Sequence, residues 1–154
     1  MLIGSRLEEL SGPRPAKDSP DWRMELNKTY RAFCKFATAV FVLNVVYSIP
    51  TKLIQERLAE DWLHSVLHLL SAVFAAYAAW YAPSNLPARA YTWGIGFLYG
   101  GLLVYGVLTP GLFLNTPFVI PLGTADNVFH LFVSLPALVI TALEFRRSLR
   151  TARR

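Results

Sequence analysis

Residues 62–82 read WLHSVLHLLSAVFAAYAAWYA. No Asp, Glu, Lys or Arg interrupts them, and a helix of about 20 residues, rising about 1.5 Å per residue, covers the roughly 30 Å hydrocarbon core of a bilayer. The segment therefore predicts a transmembrane helix. Working outward, three more apolar stretches of comparable length lie at about 32–49, 90–108 and 126–145. The whole chain is 54 % hydrophobic and 14 % aromatic over 154 residues, with a mean hydropathy of +0.37. That is too apolar for an ordinary soluble domain of one-domain length. The expected fold is all-α, a bundle of four transmembrane helices. Between the first two, Thr51 to Asp61 (TKLIQERLAED) places Leu53, Ile54 and Leu58 on one face with charges elsewhere, which predicts a short interfacial helix.

The formal net charge is +5, but the basic residues gather at the ends of the chain and are not interleaved with aromatics on a face, which argues against nucleic acid. Seven of the fifteen Lys and Arg precede or open the first helix, Arg89 lies in the second loop, and five fall between Arg146 and Arg154. The first loop holds only Lys52 and Arg57. The positive-inside rule then places both termini of a multi-pass membrane protein in the cytoplasm. Residues 1–28, with Pro13, Pro15, Pro20 and mixed charge, read as a polar tail, 29–146 as the four-helix domain and 147–154 as a basic tail. Glu8 and Glu9 precede any apolar run, unlike the pattern of a cleaved signal peptide, so insertion is expected to rest on the first helix. The single cysteine, Cys34, allows neither a disulfide framework nor a CxxC motif within the chain and reads as packing.

In the third span Thr92, Gly96 and Gly100 recur every four residues, a small-residue face that lets helix backbones approach closely. Tyr91, Trp93, Tyr99 and Tyr105 border it; the outer ones suit the membrane interface and the inner ones packing or a flat ligand. Pro136 in the fourth span removes a backbone donor and frees the carbonyl of Phe132, which predicts a kink. The loop from Thr109 to Thr124 has no charge and holds Pro110, Gly111, Pro117, Pro121 and Gly123. It is expected to fold over the bundle as an apolar lid.

All three histidines fall in the opening turns of the second and fourth spans. His64 and His68 are four residues apart, on one helical face continued by Ser71, Ala72, Ala75 and Ala79. In the fourth span the corresponding stripe is Asp126, His130, Ser134, Ala137, Thr141 and Glu144. From the helix rise His64 and His68 lie roughly 4.5 and 10 Å below Asp61, and His130 roughly 6 Å below Asp126, so the rings share about one turn of depth. Glu60, Asp61 and Asp126 would ring the entrance. Such a constellation can join helices by hydrogen bonds, ligate a metal or cofactor, or pass protons. The residues favour hydrogen bonding with no cofactor. The ligand alternative uses His64, His68 and His130 toward haem or a chlorophyll-type pigment, or the same three with Asp126 toward a transition metal. No pairing of a nucleophile with a base is evident, so no catalytic residue is assigned.

The run Ala88-Arg89-Ala90-Tyr91 and the segment Thr124-Ala125-Asp126-Asn127-Val128-Phe129-His130-Leu131, with His64 and His68 before them, resemble a family of small bacterial four-helix membrane proteins catalogued as a domain of unknown function. The family's patterns are a helix V-L-H-x-x-x-H-L-L, an A-R-x-Y loop and T-A-D-N-x-x-H-L opening the last helix. The resemblance covers roughly 62–140; this chain departs from it in a first helix without glycine from Phe36 to Ile49 and in its long front tail. It implies a four-helix integral membrane fold in a bacterial inner, cytoplasmic or intracytoplasmic, membrane and carries no settled activity. The expected function is a non-enzymatic accessory or scaffold subunit, with membrane lipid and another membrane protein or complex as partners. A haem-, pigment- or metal-binding protein is the alternative, and a proton-coupled transporter along Asp126, His130, Thr141 and Glu144 a further one.

Overall fold

The computed structural model describes residues 21–54, 62–112 and 120–153. Helix α1 spans Asp21–Ile54, α2 Trp62–Ala76, α3 Leu86–Leu108 and α4 Thr124–Ala152. All four, α2 together with the helical turn that continues it to Tyr81, are long and apolar enough to cross a membrane. Only 22 to 39 % of the residues in the most apolar window of each are buried inside the protein, so most of their apolar surface faces outward, as in a bundle solvated by lipid tails. At 34 residues α1 is roughly 50 Å long, so its ends project beyond the hydrocarbon. It begins at Asp21 because polar residues continue a helix in water as readily as apolar ones do in lipid. Its last turns pass through Pro50 to Ile54, which places Thr51 to Ile54 of the expected interfacial helix on α1; Glu60, Asp61 and the other residues of 55–61 lie outside the described residues, as do residues 1–20 and 113–119.

Two extensive interfaces build the bundle, α1 against α2 and α3 against α4, with α1 also touching α3 and α4. The small-residue face explains the second. A Cβ placed on Gly96 would stand 3.3 Å from Leu138 Cδ2 and 3.4 Å from Ala137 Cβ, and one on Gly100 3.4 Å from Leu138 Cδ1. Thr92 is fully buried and donates to the Ala88 carbonyl at 2.8 Å. Gly94 and Gly101 have nothing within 4 Å of such a Cβ, which confines the close approach to one stripe of α3. Across from it α4 presents His130, Ser134, Ala137, Thr141 and Glu144, all buried.

Helix α2 ends in a π-helical turn, Tyr77–Tyr81, closed by the Ala82 N–H on the Tyr77 carbonyl at 2.9 Å. Widening a helix by one residue leaves carbonyls unpaired at its end. Arg31 of α1 supplies the donors: Nη1 reaches Ala79 O at 3.3 Å, Nη2 Ala82 O at 2.9 Å, and Nε the side-chain oxygen of Asn85 at 2.7 Å. A single guanidinium thus ties the α2–α3 turn to α1.

Beyond α3 the chain forms a minimal antiparallel pair, β1 Gly111–Leu112 with β2 Pro121–Leu122. Gly111 takes a φ of 140°, a backbone conformation that side chains disfavour. Leu122 is fully buried and Ile120 nearly so, so this returning segment packs on the bundle; the middle of the expected lid, 113–119, lies outside the described residues.

Candidate functional site

His64, His68 and His130 are all buried, at 6, 4 and 1 % exposure. They line one cavity of about 120 Å³, together with Ser71, Tyr99 and Ile120. The heptad-like spacing of α2 places His64 and His68 one above the other, with ring centroids 4.3 Å apart and steeply tilted. His130 comes from α4 and meets the edge of Tyr99 at 5.2 Å. Ile120 brings the returning segment after α3 to the cavity wall.

The hydrogen bond that orients His68 comes from α1. Its Nδ1 lies 2.6 Å from the side-chain oxygen of Asn44, so with that oxygen facing the ring Nδ1 carries the hydrogen. Helices α2 and α4 are not extensive neighbours; they meet through the rings, with the His68 centroid 4.9 Å from that of Phe129. Phe41 of α1 closes the cluster, 5.4 Å from both His68 and Phe129 and 5.5 Å from Tyr99. Asn44 escaped the reading by motif because it stands alone, yet one amide within FVLNVVY is itself a signal that an apolar helix has a polar partner to meet.

Asp126 sits half-buried in the first turn of α4 and is not among the residues lining the cavity. Its position suits an acid at a helix start, where backbone N–H groups and the helix dipole favour negative charge. Among the described residues no three or more His, Cys, Asp or Glu side chains are arranged to hold a metal ion. The cavity is also well below the roughly 300–1,000 Å³ of sites for cofactor-sized ligands, so a porphyrin does not fit within it as the helices stand.

At the opposite end of the bundle a second polar centre forms around Glu144. Its Oε2 accepts a short hydrogen bond from the Tyr30 hydroxyl and another from Trp93 Nε1 at 2.9 Å. Its Oε1 pairs with Arg89 Nε at 2.9 Å. Arg89 also lies over the Trp93 ring, 5.8 Å from its centroid. Helices α1, α3 and α4 are joined here by one carboxylate. Tyr30 and Trp93 were not foreseen in this role, because their partner is far away along the chain. Cys34, fully buried, donates its thiol to the Ala88 carbonyl at 3.8 Å between α1 and α3, in keeping with a packing role.

Fold and sites together define a four-span helical membrane protein with one polar centre near each end of the bundle. Residues 58–143, more than half of the chain, match DUF4383, a domain of unknown function, and the chain belongs to that family. The match takes in His64, His68, Arg89, Trp93 and His130 and leaves out α1 and Glu144. Neither the curated proteins nor the solved structures contain a match to the chain.

Proposed function

We propose that the protein is a non-enzymatic accessory or scaffold subunit that associates with a larger protein complex of a bacterial inner membrane, both of its termini being cytoplasmic. The observation that carries this reading is the filled middle of the bundle. Between the histidine cavity and the Glu144 centre, Phe33, Phe41, Tyr91, Ile95, Val133 and Ala137 belong to one buried cluster. A continuous buried cluster of this kind gives support and not passage, since protein interiors leave few voids larger than a water molecule. It weighs against transport along Asp126, His130, Thr141 and Glu144, as does the commitment of Glu144 to three donors. Tagged full-length protein, extracted from native membranes in mild detergent, is expected to bring down a membrane partner in fixed stoichiometry. Recovery as a lone monomer, with no cross-linked neighbour in the membrane beforehand, would overturn the reading.

A second reading, a small-ligand site in the histidine cavity, is favoured by one atom. Nδ1 of His130 is buried and has no hydrogen-bond partner, a situation that costs about 1–3 kcal/mol unless something supplies one. A cavity of about 120 Å³ has room for a few waters, a small polar molecule or one ligated ion. Elemental analysis and an optical spectrum of native-purified protein test this. Bound metal or a chromophore lost on His130→Ala would support it, and a colourless, metal-free preparation from which mass spectrometry releases no small molecule would sink it.

A further inference from the structure

Beside the Glu144 centre lies a cleft of about 350 Å³ between α1, α3 and α4, whose walls include Trp22, Arg23, Asn27, Arg89 and Ser148. From its chemistry we infer a binding site for a singly charged phosphate ester, carried either by the headgroup of an anionic phospholipid or by a soluble phosphate. This goes beyond the accessory role and does not depend on it.

The donors are of the right kind. Arg23 is exposed and lies over the Trp22 ring, 5.4 Å from its centroid. Arg89 uses Nε on Glu144, and its side chain is 51 % exposed, which leaves its terminal nitrogens for a second acceptor. Guanidinium groups hold phosphate oxygens through paired hydrogen bonds. Asn27 and Ser148 add an amide and a hydroxyl. The one acid in the wall, Glu144, would repel an anion if bare. Its two oxygens are instead covered by Tyr30, Trp93 and Arg89. With two guanidiniums and one carboxylate, the cleft carries a net charge of about +1, matched to a phosphodiester.

Placement agrees with a lipid source. The cleft lies at the end of the bundle where α1 starts and α4 finishes, at the level of Arg146, Arg147, Arg150 and Arg153. Basic pockets between helices at that depth are suited to acidic headgroups. Phe145 and Leu149, flanking Ser148 on α4, are 59 and 43 % exposed and offer a track for acyl chains.

The test uses full-length protein in a mild zwitterionic detergent, with tryptophan fluorescence and native mass spectrometry as readouts. Phosphatidylglycerol, phosphatidylcholine and inorganic phosphate are titrated in parallel. Phosphatidylglycerol is expected to be retained at least about tenfold better than phosphatidylcholine, the discrimination of one charge-assisted hydrogen bond or more. Arg23→Gln should weaken retention about tenfold, and Arg23→Lys, which keeps the charge but loses the paired donors and the stacking on Trp22, should fall between Gln and the parent. Arg23 is exposed, so neither change should alter the melting temperature, and Ser148→Ala gives an independent variant in the same wall. Competition by inorganic phosphate at matched concentration assigns the site to a soluble anion, and its failure assigns it to the lipid. Equal retention of both lipids with no response to phosphate, or binding unchanged by Arg23→Gln and Ser148→Ala alike, would overturn the inference.

Discussion

Replacing Glu144 separates the charge of the carboxylate from its hydrogen bonds, because the two are divided between its oxygens. Tyr30 and Trp93 both donate to Oε2, while Arg89 alone engages Oε1. In Glu144→Gln the amide oxygen takes the place of Oε2 and keeps both donors, and the amide nitrogen faces Arg89. What is lost is a pair whose arginine is half exposed, worth up to about 1 kcal/mol. In Glu144→Leu both donors lose their acceptor. Tyr30 is 1 % exposed, so its stranded hydroxyl costs toward the upper part of about 1–3 kcal/mol; Trp93 is half-buried, and its N–H falls lower in that range. Relief of the carboxylate's own desolvation offsets part of this. The net expectation is a loss of about 3 kcal/mol for Leu against about 1 kcal/mol for Gln. Reversible unfolding in mixed micelles, titrated with dodecyl sulfate and followed by circular dichroism, measures both. A leucine variant within 0.5 kcal/mol of the parent, on the order of ordinary surface substitutions, or a glutamine variant as damaged as the leucine one, would refute the assignment of Glu144 as the link between α1, α3 and α4.

Gly96→Leu should cost about 1–3 kcal/mol in the same titration, since a Cβ there already stands 3.3 Å from Leu138. Gly94→Leu and Gly101→Leu, with open space around them, should stay near the parent. Asn44→Leu removes the partner of His68 Nδ1 and is expected to cost about 1 kcal/mol, typical of interhelical hydrogen bonds in membranes; His68→Phe in the same background should then cost less than in the parent. Cys34 is fully buried and should resist a maleimide in mild detergent yet react promptly in dodecyl sulfate, as mass spectrometry of the labelled protein will record.

Much of this architecture could be read before any coordinates. Residues 62–82 declare a span by length and lack of charge, and the Thr92, Gly96 and Gly100 stripe declares a close helix contact, because both signals are local and periodic. The inward turn of His64, His68 and His130 follows from the same periodicity. What spacing cannot supply is which helix each face meets. The depth match between α2 and α4 suggests that they are neighbours, whereas α2 packs along α1 and α4 along α3, and the two meet through His68 and Phe129. Hydropathy also misses the first turns of α1, since it registers only the part of a helix that lipid requires. Tyr30 and Glu144 are separated by 114 positions, and neither residue alone announces the other. The π-helical end of α2 and its Arg31 clasp depend on three-dimensional proximity in the same way.

Helix α1 acquires a particular importance from this. It lies outside the family match, which begins at residue 58, yet it supplies Asn44 to His68, Tyr30 to Glu144, Arg31 to the α2–α3 turn and Phe41 to the ring cluster. The matched segment carries the imidazoles, and α1 decides how one of them is oriented. It carries Arg89 and Trp93, and α1 provides both the third donor to the carboxylate that holds Arg89 and the second arginine of the cleft. A substitution on the inner face of α1 therefore reaches either polar centre without altering a family-matched residue. Exchanges such as Asn44→Leu and Tyr30→Phe, which nearly keep volume and remove a hydrogen bond, act on one end of the bundle each. If the two ends respond independently, as sites well separated through the core should, α1 is a brace serving two separate centres; coupling between those variants of more than about 0.5 kcal/mol would instead make the core between them a transmitting element.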